Sequence, residues 1–167
     1  ICSGDECFTD ASSSCKGATL RGAADTGTND HGARDLDHTS TYVQSWAKAY
    51  LKWLMGNMKY EGFRYDMTKG YNGKYLKMYN EAVQPYISVS EFWDGTLPQL
   101  NHLNAAGFNT MVFDFPLKYV LSDAIVKGSY GLLKKPTNSL RGKGYAKYAV
   151  TFIDNHDTFE RSDSKDN

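Results

Sequence analysis

Cysteine is scarce and confined: Cys2, Cys7 and Cys15 crowd into the start of a 167-residue chain, and none follows. No Cys-x-x-Cys pair and no histidine at zinc spacing accompanies them. Local disulfides with one thiol left over, or with one partnered outside this sequence, are therefore favoured over a metal site. An oxidising setting, extracellular or periplasmic, is the matching expectation. An excess of one charge is also lacking, with 19 basic and 19 acidic side chains, so nothing suggests nucleic acid or an anionic membrane as a partner. No apolar run approaches the ~20 residues that a membrane span requires. Neither G-x-G-x-x-G opening a helix nor a P-loop occurs, which removes the usual support for nucleotide binding. Tandem repeats and low-complexity segments are missing too. The sequence opens on Ile1 without an initiator Met or a signal segment and closes in polar residues 162–167. It reads as a piece of a longer protein, so the missing signal says nothing of location.

What is present begins with aromatic side chains, 14% of the chain, including 12 Tyr and 3 Trp. Such rings suit sugar recognition and fill ordinary cores equally well. Residues 1–40 carry no sustained period and are rich in Gly, Ser, Thr and Asp. A structureless stretch of that length is often functional. Within it stand Asp25, Asp30, Asp35 and Asp37, which fit either an oxygen-ligand site for a hard cation or a polar loop built on Asx turns.

A helix is expected next, opened by a capping box at Thr41 and Gln44 and stopped at Gly56-Asn57. Val43, Trp46, Ala47, Tyr50, Leu54 and Met58 recur at helical spacing and read as a core-facing stripe. Beyond it strands and helices alternate. The expected strands are Phe63 to Asp66, Tyr86 to Glu91, Thr110 to Asp114 and Ala149 to Asp154. The expected helices are Lys74 to Val83, Leu97 to Ala106 and Pro116 to Lys127. This alternation predicts βαβ units and a parallel sheet. Trp53 reads as core or half-buried surface, His102 as a helix surface residue, and Lys134-Lys135 as a solvated loop.

Chemistry gathers at strand ends. Arg64 and Asp66 lie two apart, so a strand points both to one face, with Phe63 and Tyr65 on the other. The pair serves either to close the strand or to hold an ionised carboxylate ready. Glu91 ends the second strand beside Phe92 and Trp93, whose apolar rings favour a raised pKa. The last strand runs into Asp154-Asn155-His156-Asp157. In α/β folds, sites collect at the C-terminal ends of parallel strands. Two carboxyl groups in opposed environments form the acid/nucleophile pair of a retaining glycosidase.

Three segments, GFRYDMTKGY, VSEFWDG and TFIDNHDTF, in this order and at these separations, resemble those of the α-amylase family, glycoside hydrolase family thirteen. The likeness extends from about residue 19 to 161 and is nearest to plant-type and related bacterial members. Ser90 stands where the family usually has a small residue before the acid. The resemblance implies hydrolysis of α-1,4-glucosidic bonds in starch or related α-glucans through a covalent glycosyl-enzyme. Asp66 would be the nucleophile, Glu91 the general acid and base, and Asp157 the carboxylate that orients the sugar and stabilises the transition state. Arg64 would position Asp66, His156 would bond hydroxyls of the sugar at the cleavage point, and Lys69 would contact the leaving-side sugar. Tyr71 and Trp93 are further candidates for stacking on sugar rings.

The resemblance also implies a structural calcium ion, held by the carboxylates of Asp25 and Asp35 and the carbonyls of Thr28 and Gly70, although Arg34 replaces the family's usual proline. The implied fold is a (β/α)8 TIM barrel, of which about four βα units are present. Residues 1–40 would form an irregular loop domain, and residues 41–167 the barrel from its third helix to its seventh strand. The family's early Asp and Asn-His segment, its last strand and its C-terminal domain are not found here. Half a barrel leaves strand edges unpaired, so the chain alone is expected to be weakly folded and inactive. The full-length enzyme is expected to be a monomer.

Other readings compete. A glucan transferase of the same family shares the covalent intermediate. A metal-dependent phosphoesterase fits Asn155-His156-Asp157 but lacks its separate Asp-x-His and Gly-Asp-x-x-Asp segments. A non-catalytic starch-binding relative predicts the loss of a carboxylate, and all three are present.

Overall fold

A computed structural model describes residues 36–134 and 136–159. Asp25, Thr28 and Asp35, the three cysteines and Lys135 lie outside the described residues. Among the described residues no helix is long and apolar enough to cross a membrane.

The chain alternates helix and strand as its periodicity predicts. Helix α1 spans Thr41–Gly56, strand β1 Gly62–Tyr65, α2 Gly73–Val83, β2 Ile87–Ser90, α3 Pro98–Ala105, β3 Met111–Phe113, α4 Phe115–Val126, β4 Ala149–Val150 and α5 His156–Phe159. The strands form a parallel sheet in the order β1-β2-β3-β4. Gly62 pairs with Ile87 and Tyr65 with Ser90. Strand order follows chain order without reversal, so right-handed crossovers put the connecting helices α2, α3 and α4 on one side of the sheet. That winding is compatible with part of a barrel and differs from a doubly wound sheet, whose order reverses at a switch point.

Each helix has a local reason to start. The Ser40 hydroxyl accepts from the Val43 amide (3.5 Å), so the cap of α1 lies one residue before the expected Thr41. Gln44 reaches back to the His38 carbonyl (2.9 Å) and closes no box with Thr41. Asn72 caps α2 and Asp114 caps α4. Gly73 is required where α2 crosses α3, because a Cβ there would lie 2.5 Å from the His102 carbonyl oxygen.

The core has two parts. Leu51, Tyr75 and Tyr79 bury against Ala47, Phe63 and Tyr65, joining α1 and α2 to one face of β1. Leu103, Val112 and Leu140 form the second, under Phe92, Phe108 and Tyr148. The expected stripe on α1 is corrected by this packing. Val43 and Ala47 do face inward, but Leu51 completes the buried line, while Trp46 (57% exposed), Tyr50 (48%) and Trp53 (48%) form an outward row of stacked rings. Bulky flat residues satisfy a helical period on the wrong side of a helix whose inner face is filled by smaller ones. The last strand is also shorter than expected, because regular pairing ends at Val150.

His102 is the other correction. It is buried, with Nε2 3.3 Å from the Ser90 hydroxyl and its ring 5.1 Å from that of Phe92. It ends a polar chain between sheet and helices. Tyr65 donates to Asn80 (2.9 Å), Asn80 to Ser88 (2.9 Å) and Ser88 to Thr110 (3.0 Å), whose hydroxyl also meets Ser90 (3.0 Å). Burial lowers the His102 pKa from 6.5 to about 4, so the folded protein holds this imidazole neutral.

Between pH 6.5 and 4 the unfolded chain binds this proton and the folded one does not. Stability from His102 is therefore complete above pH 6.5 and is lost as pH falls toward 4, by about 3 kcal/mol in all. Denaturant titrations of the full-length protein across that range should show a flatter acid limb for His102→Gln by about this amount.

Candidate active site

Strand β1 stops at Tyr65, and Asp66 is the first residue beyond it. Met67 then adopts a left-handed conformation (φ 45°, ψ 43°), uncommon for a residue with a side chain, and opens a short turn over Thr68–Gly70. This bend sends the Met67 amide to Glu91 Oε2 (3.1 Å). Thr68 gives both its amide and its hydroxyl to the Glu91 carbonyl, each at 2.9 Å. Glu91 in turn donates its amide to the Tyr65 carbonyl (2.9 Å), which carries strand pairing one residue past β2.

Arg64 forks across the gap. Its Nη1 bonds Asp66 Oδ1, and its Nη2 lies 2.7 Å from Glu91 Oε1. The expected common face of Arg64 and Asp66 is thus observed, with Phe63 and Tyr65 packed on the opposite side. The two carboxylates share a guanidinium but differ in surroundings: the Asp66 side chain is 75% exposed and that of Glu91 only 7%. Burial pushes the Glu91 carboxyl above the ordinary range. The Met67 amide and the Arg64 charge oppose the shift, and Asp66 reinforces it.

The aromatic neighbours of Glu91 have separate partners. Phe92 turns into the core beside Leu103. Trp93 stacks on Phe115 (5.0 Å, 15°) and donates its indole N–H to the Tyr119 hydroxyl (3.0 Å). Tyr71 is half-buried and stacks on His38 (4.4 Å), so one of its faces is already covered. Burial raises its hydroxyl pKa well above the usual range. The same burial lowers His38 to about 4 against the opposing charge of Asp37, and His38 Nδ1 meets the Tyr79 hydroxyl at 2.7 Å.

Lys69 lies one turn past Asp66. Its Nζ bonds Asp94 Oδ2 (2.8 Å) and the Trp93 carbonyl (3.4 Å). Gly70 sits in the same turn, donating its amide to the Met67 carbonyl (2.9 Å). The other three expected calcium ligands are outside the described residues. Among the described residues no group of three or more His, Cys, Asp or Glu side chains could hold a metal.

Asp157 approaches from the far edge of the sheet. After β4 the chain turns at Asn155, whose side-chain oxygen accepts from the amides of Asp157 (3.1 Å) and Thr158 (3.0 Å) and so starts α5. His156 Nε2 lies 3.2 Å from Asp157 Oδ2, with the imidazole largely exposed. The sheet thus brings Arg64, Asp66, Glu91 and Lys69 together, while Asp157 and His156 stand at the same C-terminal edge two strands beyond Glu91.

Two residues escape a reading of the sequence. Asp114 ends β3 fully buried, and its carboxylate accepts from the amides of Leu117 (3.3 Å), Leu140 (3.2 Å) and Arg141 (3.1 Å). It fastens the long connection after α4, and Asp followed closely by Pro116 was the available capping signal. Asp94 is the other. Its contact with Lys69 crosses between two βα connections, and no local pattern announces it.

No family model matches the chain. Curated relatives do. Alpha-amylase 3, chloroplastic, of Arabidopsis thaliana is 33% identical over 155 residues, covering 83% of this chain and 18% of that protein. Probable alpha-amylase 2 of the same plant is 34% identical over 165 residues, covering 89% of this chain and 39% of that protein. Alpha-amylase of Bacillus licheniformis is 32% identical over 130 residues, covering 74% and 25%. The chain therefore spans 18% to 39% of the length of these relatives. Their similarity joins the three carboxylate segments in pointing one way, and the chain belongs to the α-amylase family.

Proposed function

We propose that this chain carries the catalytic segments of a retaining hydrolase that cleaves internal α-1,4-glucosidic bonds of starch or related α-glucans, the activity residing in a longer protein. One observation carries the reading: a single guanidinium joins an exposed carboxylate, Asp66, to a buried one with a raised pKa, Glu91. Those are the environments that a nucleophile and a proton donor need. In this reading the sheet is an arc of a (β/α)8 barrel, supported by a strand order that never reverses.

The Asp66 carboxylate attacks the anomeric carbon while protonated Glu91 gives its proton to the departing glycosidic oxygen. An ester between Asp66 and the sugar results. Glu91, now a carboxylate, takes a proton from water; that water attacks the same carbon and Asp66 is released. Two inversions give net retention. Arg64 holds the Asp66 carboxylate in place through its Nη1 bond. Asp157 orients the sugar and stabilises the positive charge that develops on it, with His156 bonding its hydroxyls and Lys69 contacting the leaving-side sugar. Trp93 and Tyr71 are the rings assigned to stacking on sugar. The supporting likeness is to enzymes named as amylases, one of them chloroplastic, so an extracellular or periplasmic location rests on the cysteines alone.

Calcium fits the donor set assigned to it, since two carboxylates and two backbone carbonyls are all hard oxygens. Asp25, Thr28 and Asp35 would hold the ion together with Gly70 of the turn after Asp66. The ion would tie the N-terminal loop to that turn.

In the full-length protein, Asp66→Asn and Glu91→Gln should each lower kcat on a maltooligosaccharide by about a thousandfold or more. Near-normal turnover in either refutes the assignment. Products longer than the starting oligosaccharide would instead identify a glucan transferase using the same pair.

The pH profile provides a separate check. Deprotonation of Glu91 sets the alkaline limb of kcat/KM. Since the Arg64 charge holds the Glu91 pKa down, Arg64→Met should lower the rate and move that limb to higher pH. A shift to lower pH contradicts the scheme.

Chelation of calcium from the full-length protein should lower its unfolding midpoint by about 5 °C or more. Asp25→Asn should reproduce the loss and make the midpoint insensitive to added calcium.

A further inference from the structure

The connections that follow β1 and β2 stay in step well past the strands. Lys69 and Asp94 are separated by the same offset as the paired residues Gly62 and Ile87. Between strand ends and ion pair lie the bonds from Met67 and Thr68 to Glu91. The two connections are therefore already fixed without Lys69, and its ion pair with Asp94 is an addition at their outer end.

Asp94 is built as a rigid seat. Its Oδ1 accepts from the Thr96 amide (2.9 Å) and hydroxyl (2.6 Å), and Oδ2 accepts from Lys69 (2.8 Å). Its carbonyl accepts from Nε2 of Gln99 (2.6 Å), a side chain fully buried in α3. Burial would push the Asp94 carboxyl up, but the bonds from Lys69 and Thr96 outweigh it and hold it below the ordinary range. An ammonium has three donors. Asp94 and the Trp93 carbonyl take two, leaving one for a further acceptor on a group that is still 28% exposed.

We propose that Asp94 is a positioning residue for glucan binding: with the Trp93 carbonyl it locks Lys69 so that the third ammonium donor is presented to a hydroxyl of the leaving-side sugar. This rests on the reading of Asp66 and Glu91 given above. A lysine on four rotatable bonds normally loses its freedom on binding a ligand; here folding has removed it beforehand. Asp94 acts on affinity on one side of the scissile bond and leaves the bond-breaking groups alone.

The test uses the full-length protein with two substrates. One is a maltooligosaccharide with glucose units on both sides of the cleaved bond; the other is an aryl maltooligoside whose leaving group is the aryl ring, with no leaving-side sugar. On the first, Asp94→Asn should raise KM about tenfold with kcat within about threefold. Lys69→Met should do the same, and the double variant should be no worse than Lys69→Met alone. On the aryl substrate Asp94→Asn should match the parent. Asp94→Asn retains a side-chain oxygen that accepts from Thr96, which preserves the turn. If Asp94→Asn nevertheless lowers the unfolding midpoint, Asp94→Glu, which keeps the charge, should bring KM back toward the parent value. An unchanged KM, an additive double variant or an equal loss on both substrates overturns the proposal. Asp66→Asn run alongside separates the failures. If it is inactive while Asp94→Asn is silent, only this inference falls; if it turns over normally, the catalytic reading falls and takes this one with it.

Discussion

Arg64 touches Asp66 with one terminal nitrogen and Glu91 with the other, and the sheet edge is arranged around that fork. Two carboxylates in such proximity repel unless a cation lies between them or one takes a proton. A planar guanidinium meets both at once, which a lysine, a single point charge, does not. The fork depends on register. The β1–β2 pairing sets Arg64 opposite Val89 and Tyr65 opposite Ser90, and the same offset places Asp66 level with Glu91. A slip of one residue would turn Arg64 toward the helices and break both contacts.

Register is guarded on the opposite side of the sheet by the buried hydroxyls and amides. Ser88 and Ser90 of β2 both meet Thr110, and Asn80 of α2 reaches Ser88 and the Asn109 carbonyl. In an apolar interior such groups are costly unless all are paired, so only one alignment of the strands satisfies the set. Apolar packing alone would tolerate sliding more readily.

The order of elements was legible because apolar periodicity and cap residues are local. Alternation in Phe63 to Tyr65 marked β1, Gly56-Asn57 ended α1, and Pro116 marked a helix start. Arg64 and Asp66 were legible as a pair because two residues on one strand must share a face. What escaped depends on contacts distant in sequence. Nothing around Tyr50 says that Leu51 takes the buried line, since both fit a helical period and only the size of the space over Tyr75 and Tyr79 decides. His102 appears on a polar helix, yet Ser90 of another element draws it inside. The cap of α1 moved by one residue because Ser40 and Thr41 carry equivalent hydroxyls. β4 is shorter than its local pattern because pairing with β3 stops at Val150, and that partner lies far off in sequence.

The outward row on α1 gives the molecule an optical consequence. Of its three indoles, Trp46 and Trp53 lie about half in water on one helix face, whereas Trp93 is stacked on Phe115 beside the carboxylates. Emission from the first two belongs to the red, solvent-relaxed end of the tryptophan range and that of Trp93 to the blue. Quenching by a water-borne ion therefore falls first on the α1 face.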